Sequence, residues 1–221
     1  MIKDHSITVG QSPRTDLTPE MLPILGDSIS LIQMGGLDGL TRKEIEAFVP
    51  AADDHVLVSR LTDGSSVTFG ESHILSRLQD CIGALENDGV SMIVFLCTGE
   101  FPENFRSKVP LIFPNRILTA MVPAVYPGCR LGVLTPSPAQ ICQMTEKWSQ
   151  VTSRVFVAAA SPYEGLSGVE TAARTLPEEA DLIVLDCIGY TEEMKALVQS
   201  VTKRPVLLPR TLVAHVLKAL A

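Results

Sequence analysis

Two apolar runs constrain this chain more than any other feature: Ser91-Met92-Ile93-Val94-Phe95-Leu96-Cys97-Thr98-Gly99 and Asp181-Leu182-Ile183-Val184-Leu185-Asp186-Cys187-Ile188-Gly189. Each is apolar at successive positions rather than at alternate ones. That is the pattern of a strand buried on both faces, and such strands belong to parallel sheets covered by helices. Each run then reaches a cysteine and a tight turn. In an open α/β sheet, ligands bind at the carboxyl ends of the strands. Two thiols placed there by two halves of one chain can face a single ligand from opposite sides, which is the arrangement that two-base proton transfer requires.

The segments around these runs alternate in the same way. Strands are expected at Ser6–Val9, Ile29–Gln33, Pro110–Phe113, Arg130–Leu134, Arg154–Ala159 and Pro205–Leu208. Helices are expected at Met21–Leu25, Ser72–Asn87, Asn115–Val125, Ala139–Gln150, Ser167–Glu179, Thr191–Val201 and Thr211–Ala221. Thr41 with Glu44 three residues on forms a capping box for a helix through Phe48. His55–Leu61 and Ser66–Phe69 flank Thr62-Asp63-Gly64-Ser65, a hairpin signal read as an insertion at a sheet edge. Gly35-Gly36-Leu37-Asp38-Gly39 lacks the lysine of a phosphate loop and reads as a flexible loop able to act as a lid.

The expected fold class is therefore α/β, two pseudo-symmetric lobes with mostly parallel sheets flanked by helices. The halves also resemble each other in sequence. Pro110-Leu111-Ile112-Phe113-Pro114 parallels Pro205-Val206-Leu207-Leu208-Pro209, and both Ile7–Pro13 and Leu131–Pro138 run a strand into a Ser-Pro turn. An internal duplication is the economical reading. The chain is expected to form a single unit, 1–221, with approximate lobes 1–115 plus 210–221, and 116–209.

Of the 221 residues, 46% are hydrophobic, sufficient for a full core. The net charge of −7, without a basic run, excludes the electrostatic footprint of a nucleic-acid binder. No apolar stretch has the length of a membrane helix, roughly 18 to 20 residues, and the first residues lack the layout of a secretory signal. Five scattered cysteines without a CxxC indicate neither a disulfide framework nor a zinc site, so a reduced, cytoplasmic protein is expected. The four histidines show no ligand spacing, so neither a metal nor a histidine-based triad is expected. A homo-oligomer is compatible with the composition.

Inverting a carbon beside a carboxylate needs a base on one face and a proton donor on the other. Cys97 and Cys187 suit both roles, because a thiol near pKa 8.5 is readily tuned toward operating pH. The substrate's charge then needs amides, hydroxyls or a guanidinium at the same strand ends. Gln11, Ser12 and Arg14 follow the first strand, and Thr98 and Gly99 follow Cys97. Thr135 and Ser137 follow the central strand, and Ile188 and Gly189 follow Cys187. Arg116 and Arg210 stand at corresponding turns of the two halves, where each suits a bidentate hold on a carboxylate. The amides ahead of the helix near Thr191 add a further site for negative charge. Cys81, Cys129 and Cys142 read as structural, and alternation turns Asp186 away from the ligand side.

Leu96-Cys97-Thr98-Gly99-Glu100-Phe101, Leu185-Asp186-Cys187-Ile188-Gly189-Tyr190 and Thr8-Val9-Gly10-Gln11-Ser12-Pro13-Arg14 together resemble the AroM family. That family is similar to the aspartate/glutamate racemase superfamily, with hydantoin racemase, maleate isomerase and arylmalonate decarboxylase. The AroM resemblance spans nearly the whole chain. It implies two pseudo-symmetric lobes, a ligand cleft between them, no cofactor, no metal, and Cys97 and Cys187 as the two catalytic thiols. The implied activity is that of a cofactor-independent racemase, epimerase or isomerase of a small carboxylate-bearing compound. Racemases of the superfamily usually carry Cys-Asn-Thr and Gly-Cys-Thr at the two sites. Here the triplets are Cys97-Thr98-Gly99 and Asp186-Cys187-Ile188, which points away from a plain amino-acid substrate. Two alternatives stay open: a one-cysteine decarboxylase or isomerase with Cys187 alone catalytic, and a non-catalytic small-ligand-binding protein.

Overall fold

A computed structural model describes residues 2–27, 29–102 and 104–221. The chain forms two compact units, Met1–Pro114 with Ala214–Ala221, and Asn115–Val213. The first contains β1 (Ile2–Thr8), α1 (Thr18–Leu25), β2 (Ile29–Gly35), α2 (Arg42–Glu46), β3 (Val56–Arg60), β4 (Ser66–Gly70), α3 (Leu75–Asn87), β5 (Met92–Phe95) and β6 (Leu111–Ile112). There follow α4 (Pro114–Val125), β7 (Arg130–Thr135), α5 (Ile141–Ser149), β8 (Arg154–Ala159), α6 (Leu166–Thr175), β9 (Leu182–Leu185), α7 (Glu192–Thr202), β10 (Val206–Leu207) and α8 (Pro209–Leu220). The unit boundaries fall within α4 and α8.

Each unit holds a four-stranded sheet, and the two orders are the same: β2-β1-β5-β6 and β8-β7-β9-β10. All six pairings in these sheets are parallel. The equivalence reaches single hydrogen bonds. Leu96 N donates to Ile7 O at 2.7 Å as Asp186 N donates to Leu134 O at 2.8 Å. Gly36 N donates to Thr8 O at 2.9 Å as Ala160 N does to Thr135 O at 2.8 Å. The duplication read from the paired Pro-flanked strands and Ser-Pro turns is matched by the backbone.

Hydrophobic period explains how each sheet is covered. On α3, Leu78, Cys81, Ile82 and Leu85 share one face and pack with Ile7, Ile93 and Phe95 of the sheet. In the second unit, successive residues of β9 serve opposite faces. Ile183 and Leu185 join Val169 of α6 and Val198 of α7, while Leu182 and Val184 join Leu118 of α4 and Trp148 of α5. That division is why β9 reads as apolar at every position. Helix α6 stops at Thr175, short of the expected Glu179, because Leu176 precedes Pro177 and is driven to extended geometry, ψ 136°.

Two expectations are corrected. The β3–β4 hairpin forms no edge of the large sheet but a separate two-stranded sheet. Its Leu57, Leu61 and Phe69 are buried in the core of the first unit with Ile7, Val9, Phe95 and Cys97. The apolar hairpin face is accommodated by covering the carboxyl ends of β1 and β5. The Gly35–Gly39 loop is pinned rather than lid-like. Asp38 accepts from Ser12 N, Ser12 Oγ and Gly35 N at 2.6–2.7 Å, and Arg77 donates to Gly36 O and Asp38 O at 2.5 and 2.6 Å. Among the described residues no helix is long and apolar enough to cross a membrane.

Candidate active site

In both units strand order reverses between the first strand and the cysteine strand: β1 has β2 on one side and β5 on the other, as β7 has β8 and β9. In open α/β sheets such a reversal marks the place, at the carboxyl ends of the strands, where ligands bind. Val9–Arg14 and Cys97–Gly99 occupy that place in the first unit. Thr135–Ser137 and Cys187–Gly189 occupy it in the second.

The two thiols sit in matching turns. Gly99 N lies 3.3 Å from Cys97 Sγ and donates to it, and Gly189 N donates to Cys187 Sγ at 3.4 Å. Cys97 and Cys187 are 9% and 7% exposed. An amide N–H aimed at sulfur favours thiolate over thiol. Space beside both glycines is tight. A Cβ on Gly99 would lie 3.0 Å from Leu57 Cδ2 of the hairpin and 3.4 Å from Cys97 Sγ. One on Gly189 would lie 2.5 Å from Tyr163 Oη.

The turn after Cys187 is held from below. Arg210, 1% exposed at the start of α8, donates from Nε to Ile188 O at 3.1 Å and from Nη2 to Gly189 O at 2.7 Å. These bonds tie two of its guanidinium nitrogens to the backbone carbonyls of the turn. Tyr190 is buried and donates to Ala160 O at 2.6 Å; burial first, then the neighbouring Cys187 and Asp186, push its phenol well above the ordinary range. The N-terminus of α7 is capped by Thr191, whose hydroxyl accepts from Met194 N, and carries Glu192 and Glu193 in its first turn.

The residues after β1 make their contacts within the first unit. Gln11 Oε1 accepts from Thr62 N and Thr62 Oγ1 at 2.9 and 3.0 Å. Ser12 is committed to Asp38 through both its amide and its hydroxyl. Arg14 makes a two-pronged contact with Asp16 at 2.8 Å, and its Nη1 reaches Thr8 Oγ1 and Ser59 Oγ at 3.3 and 3.4 Å. A cavity of about 410 Å³ is lined by Gln11, Arg14, Asp16, Arg60 and Thr62, and Cys97 is not among its walls. Thr98 is buried beside Cys97. In the second unit, buried Thr135 donates to Gln140 Oε1 at 3.1 Å, and Ser137 Oγ accepts from Ala139 N at 3.3 Å. Arg116 is exposed on the first turn of α4.

Sequence reasoning missed three contributors. The hairpin supplies Leu57 against Gly99, and Ser59 and Arg60 against Gly10, where any Cβ would strike them. Its root carries His55, whose Nδ1 lies 3.3 Å from Glu71 Oε2 and 3.4 Å from Glu100 O. The bond to Glu71 raises the imidazole from 6.5 to about 9. Tyr163 reaches Gly189 from the loop after β8 with no local signal. Lys147, by contrast, left one: a lysine on the face shared by Met144 and Trp148, where an apolar residue is the rule. Among the described residues, no group of three or more His, Cys, Asp or Glu side chains is arranged to hold a metal ion.

These paired parallel sheets, each with a cysteine just past one of its inner strands, define a racemase-type α/β fold. The allantoin racemase from Klebsiella pneumoniae superposes with a TM-score of 0.63 at 16% identity, covering 100% of this chain and 87% of that one. The glutamate racemase from Aquifex pyrophilus gives a TM-score of 0.63 at 15% identity, with 100% and 84% covered. The maleate isomerase Iso from Pseudomonas putida S16 gives 0.63 at 14% identity, with 99% and 92% covered. At such identities the likeness is one of fold. No curated protein matches the sequence. The family model described as AroM protein matches residues 5–221, and the chain belongs to the AroM family.

Proposed function

We propose that this AroM protein is a cofactor-independent racemase, epimerase or isomerase of a small carboxylate-bearing compound, with Cys97 and Cys187 as its acid and base. The observation that carries this reading is the repeated thiol turn: the same amide-to-sulfur bond, from the residue two positions on, at equivalent strand ends of both units. Racemases and an isomerase among the structural neighbours support the same class of reaction.

One thiolate removes the proton from the carbon beside the carboxylate, and the electron pair moves onto the carboxylate oxygens as an enediolate. The other thiol then gives its proton to the opposite face, leaving the two sulfurs with exchanged protonation states. Backbone amides at 98–99 and 188–189 suit the developing charge, since they need no reorganisation as it forms. Because each thiol is used in both states, only the pair has meaningful ionisation constants. None of the five cysteines is in a disulfide, which fits work in a reducing compartment.

The test is proton exchange in D2O with a panel of small carboxylates, followed by ¹H NMR. The wild type is expected to wash deuterium into the acidic carbon, and Cys97→Ser and Cys187→Ser to abolish it. Loss in Cys187→Ala with turnover kept in Cys97→Ala would select a one-thiol reaction instead. A ligand that raises the melting temperature but gains no deuterium would mark a binding protein without this chemistry.

A further inference from the structure

Behind Cys187 lies a charge network that the reaction above does not use. Asp186 follows the last residue of β9, and its side chain enters the face covered by α5. There Asp186 Oδ2 accepts from Lys147 Nζ at 2.8 Å and from Trp148 Nε1 at 2.6 Å. Both members of the ion pair have 0% side-chain exposure. Lys147 Nζ also stands 5.3 Å from the Trp148 ring centroid. Asp186 Oδ1 is buried with no hydrogen-bond partner among the described residues.

A network of this kind is a poor way to stabilise a core. Desolvating two charges offsets most of their attraction, and apolar residues of similar volume commonly do as well or better. A bare carboxylate oxygen adds further cost. The duplicated unit shows that the fold does not need the pair. There the equivalent position, fixed by the same backbone bond, is Leu96, 1% exposed.

What the pair does hold is the turn. Cys187 N donates to Leu185 O at 2.8 Å, so Asp186 is the middle residue of a three-residue turn that aims the thiol. We infer that Asp186, gripped by Lys147 and Trp148, is a positioning residue for Cys187 that keeps Sγ in line with the Gly189 amide, a device Cys97 lacks. The inference deepens the proposed two-thiol reading and rests on it for its functional meaning. The network fixes the turn from the α5 side, as Arg210 fixes it through the carbonyls of Ile188 and Gly189.

The test is the double replacement Asp186→Leu with Lys147→Met, which installs the twin unit's residue and leaves no unpaired charge. Iodoacetamide alkylation is followed by peptide mass spectrometry across pH, with Cys97 of the same molecules as internal control. Loss of alignment with the amide is expected to lower the Cys187 rate at neutral pH by about tenfold and to raise its half-maximal pH by about one unit, because the thiolate is the nucleophile. Cys97 is expected to stay within about twofold, its turn lying in the other unit. An unchanged Cys187 profile, or a faster rate at an unmoved midpoint, would overturn the inference. Should the double variant not fold, Trp148→Phe removes one donor and is expected to move the profile in the same direction by about threefold; no movement there overturns the inference as well. The readout needs no turnover. Full activity of Cys187→Ser would therefore defeat the two-thiol reading while leaving the alkylation result intact.

Discussion

Arg210→Met separates the two roles open to this arginine. Methionine keeps most of the length and apolar volume but donates nothing. It removes the donors that meet Ile188 O at 3.1 Å and Gly189 O at 2.7 Å. Ile188 and Gly189 are themselves buried, so water does not replace the lost bonds. An orphaned buried acceptor costs about 1–3 kcal/mol, and losing a buried charge offsets part of that. The expected net loss is roughly 2–4 kcal/mol. For a chain of this size that lowers the melting temperature by about 5–15 °C. At a urea m-value of about 2–3 kcal/mol/M it moves the denaturation midpoint by about 1 M. Far-UV circular dichroism in urea measures it. Arg210→Lys keeps the charge but loses the planar fork and is expected to fall between the two. A loss below about 1 kcal/mol in Arg210→Met, or wild-type stability in Arg210→Lys, would refute the claim that the fork holds the Cys187 turn.

The His55 contact makes stability depend on pH in a stated direction. Its folded value, raised to about 9 from 6.5, means the contribution is complete below pH 6.5 and disappears as pH rises through 9. With a side chain 48% exposed, screening limits the effect to about 1 kcal/mol. Between pH 6 and pH 10 the urea midpoint should fall further in the wild type than in His55→Gln; parallel losses would count against the ion pair with Glu71. Gly189→Ala is expected to destabilise by about 1–3 kcal/mol, because its Cβ would come 2.5 Å from Tyr163 Oη. Adding Tyr163→Ala should recover part of that loss. A coupling under about 0.5 kcal/mol in the double-mutant cycle would show that Tyr163 is not the obstacle.

Much of this architecture is legible in the sequence because it rests on local pattern. The continuous apolar runs before Cys97 and Cys187 could be strands only in covered parallel sheets, and Pro110–Pro114 set against Pro205–Pro209 already showed the repeat. What stays illegible depends on partners distant in sequence. Ser12 reads as a free hydroxyl until Asp38 is found 26 residues on, and Gln11 as a free amide until Thr62 is found 51 residues on. The hairpin was recognisable from Asp63-Gly64, but where it docks depends on its Leu57 and Phe69 face meeting the ends of β1 and β5. The bonds of Arg210 to Ile188 O and Gly189 O reach 22 and 21 residues back along the chain and leave no local signal in the sequence.

The central claim is that the two thiols work as a pair, one removing the proton from the acidic carbon and the other delivering its own proton to the opposite face. The direct measurement is the rate at which deuterium from D2O enters the acidic carbon of a turned-over carboxylate, in the wild type, Cys97→Ser and Cys187→Ser. The account predicts exchange in the wild type and its loss in each variant, by a factor of about 10² or more. Exchange at the wild-type rate in either variant would contradict it.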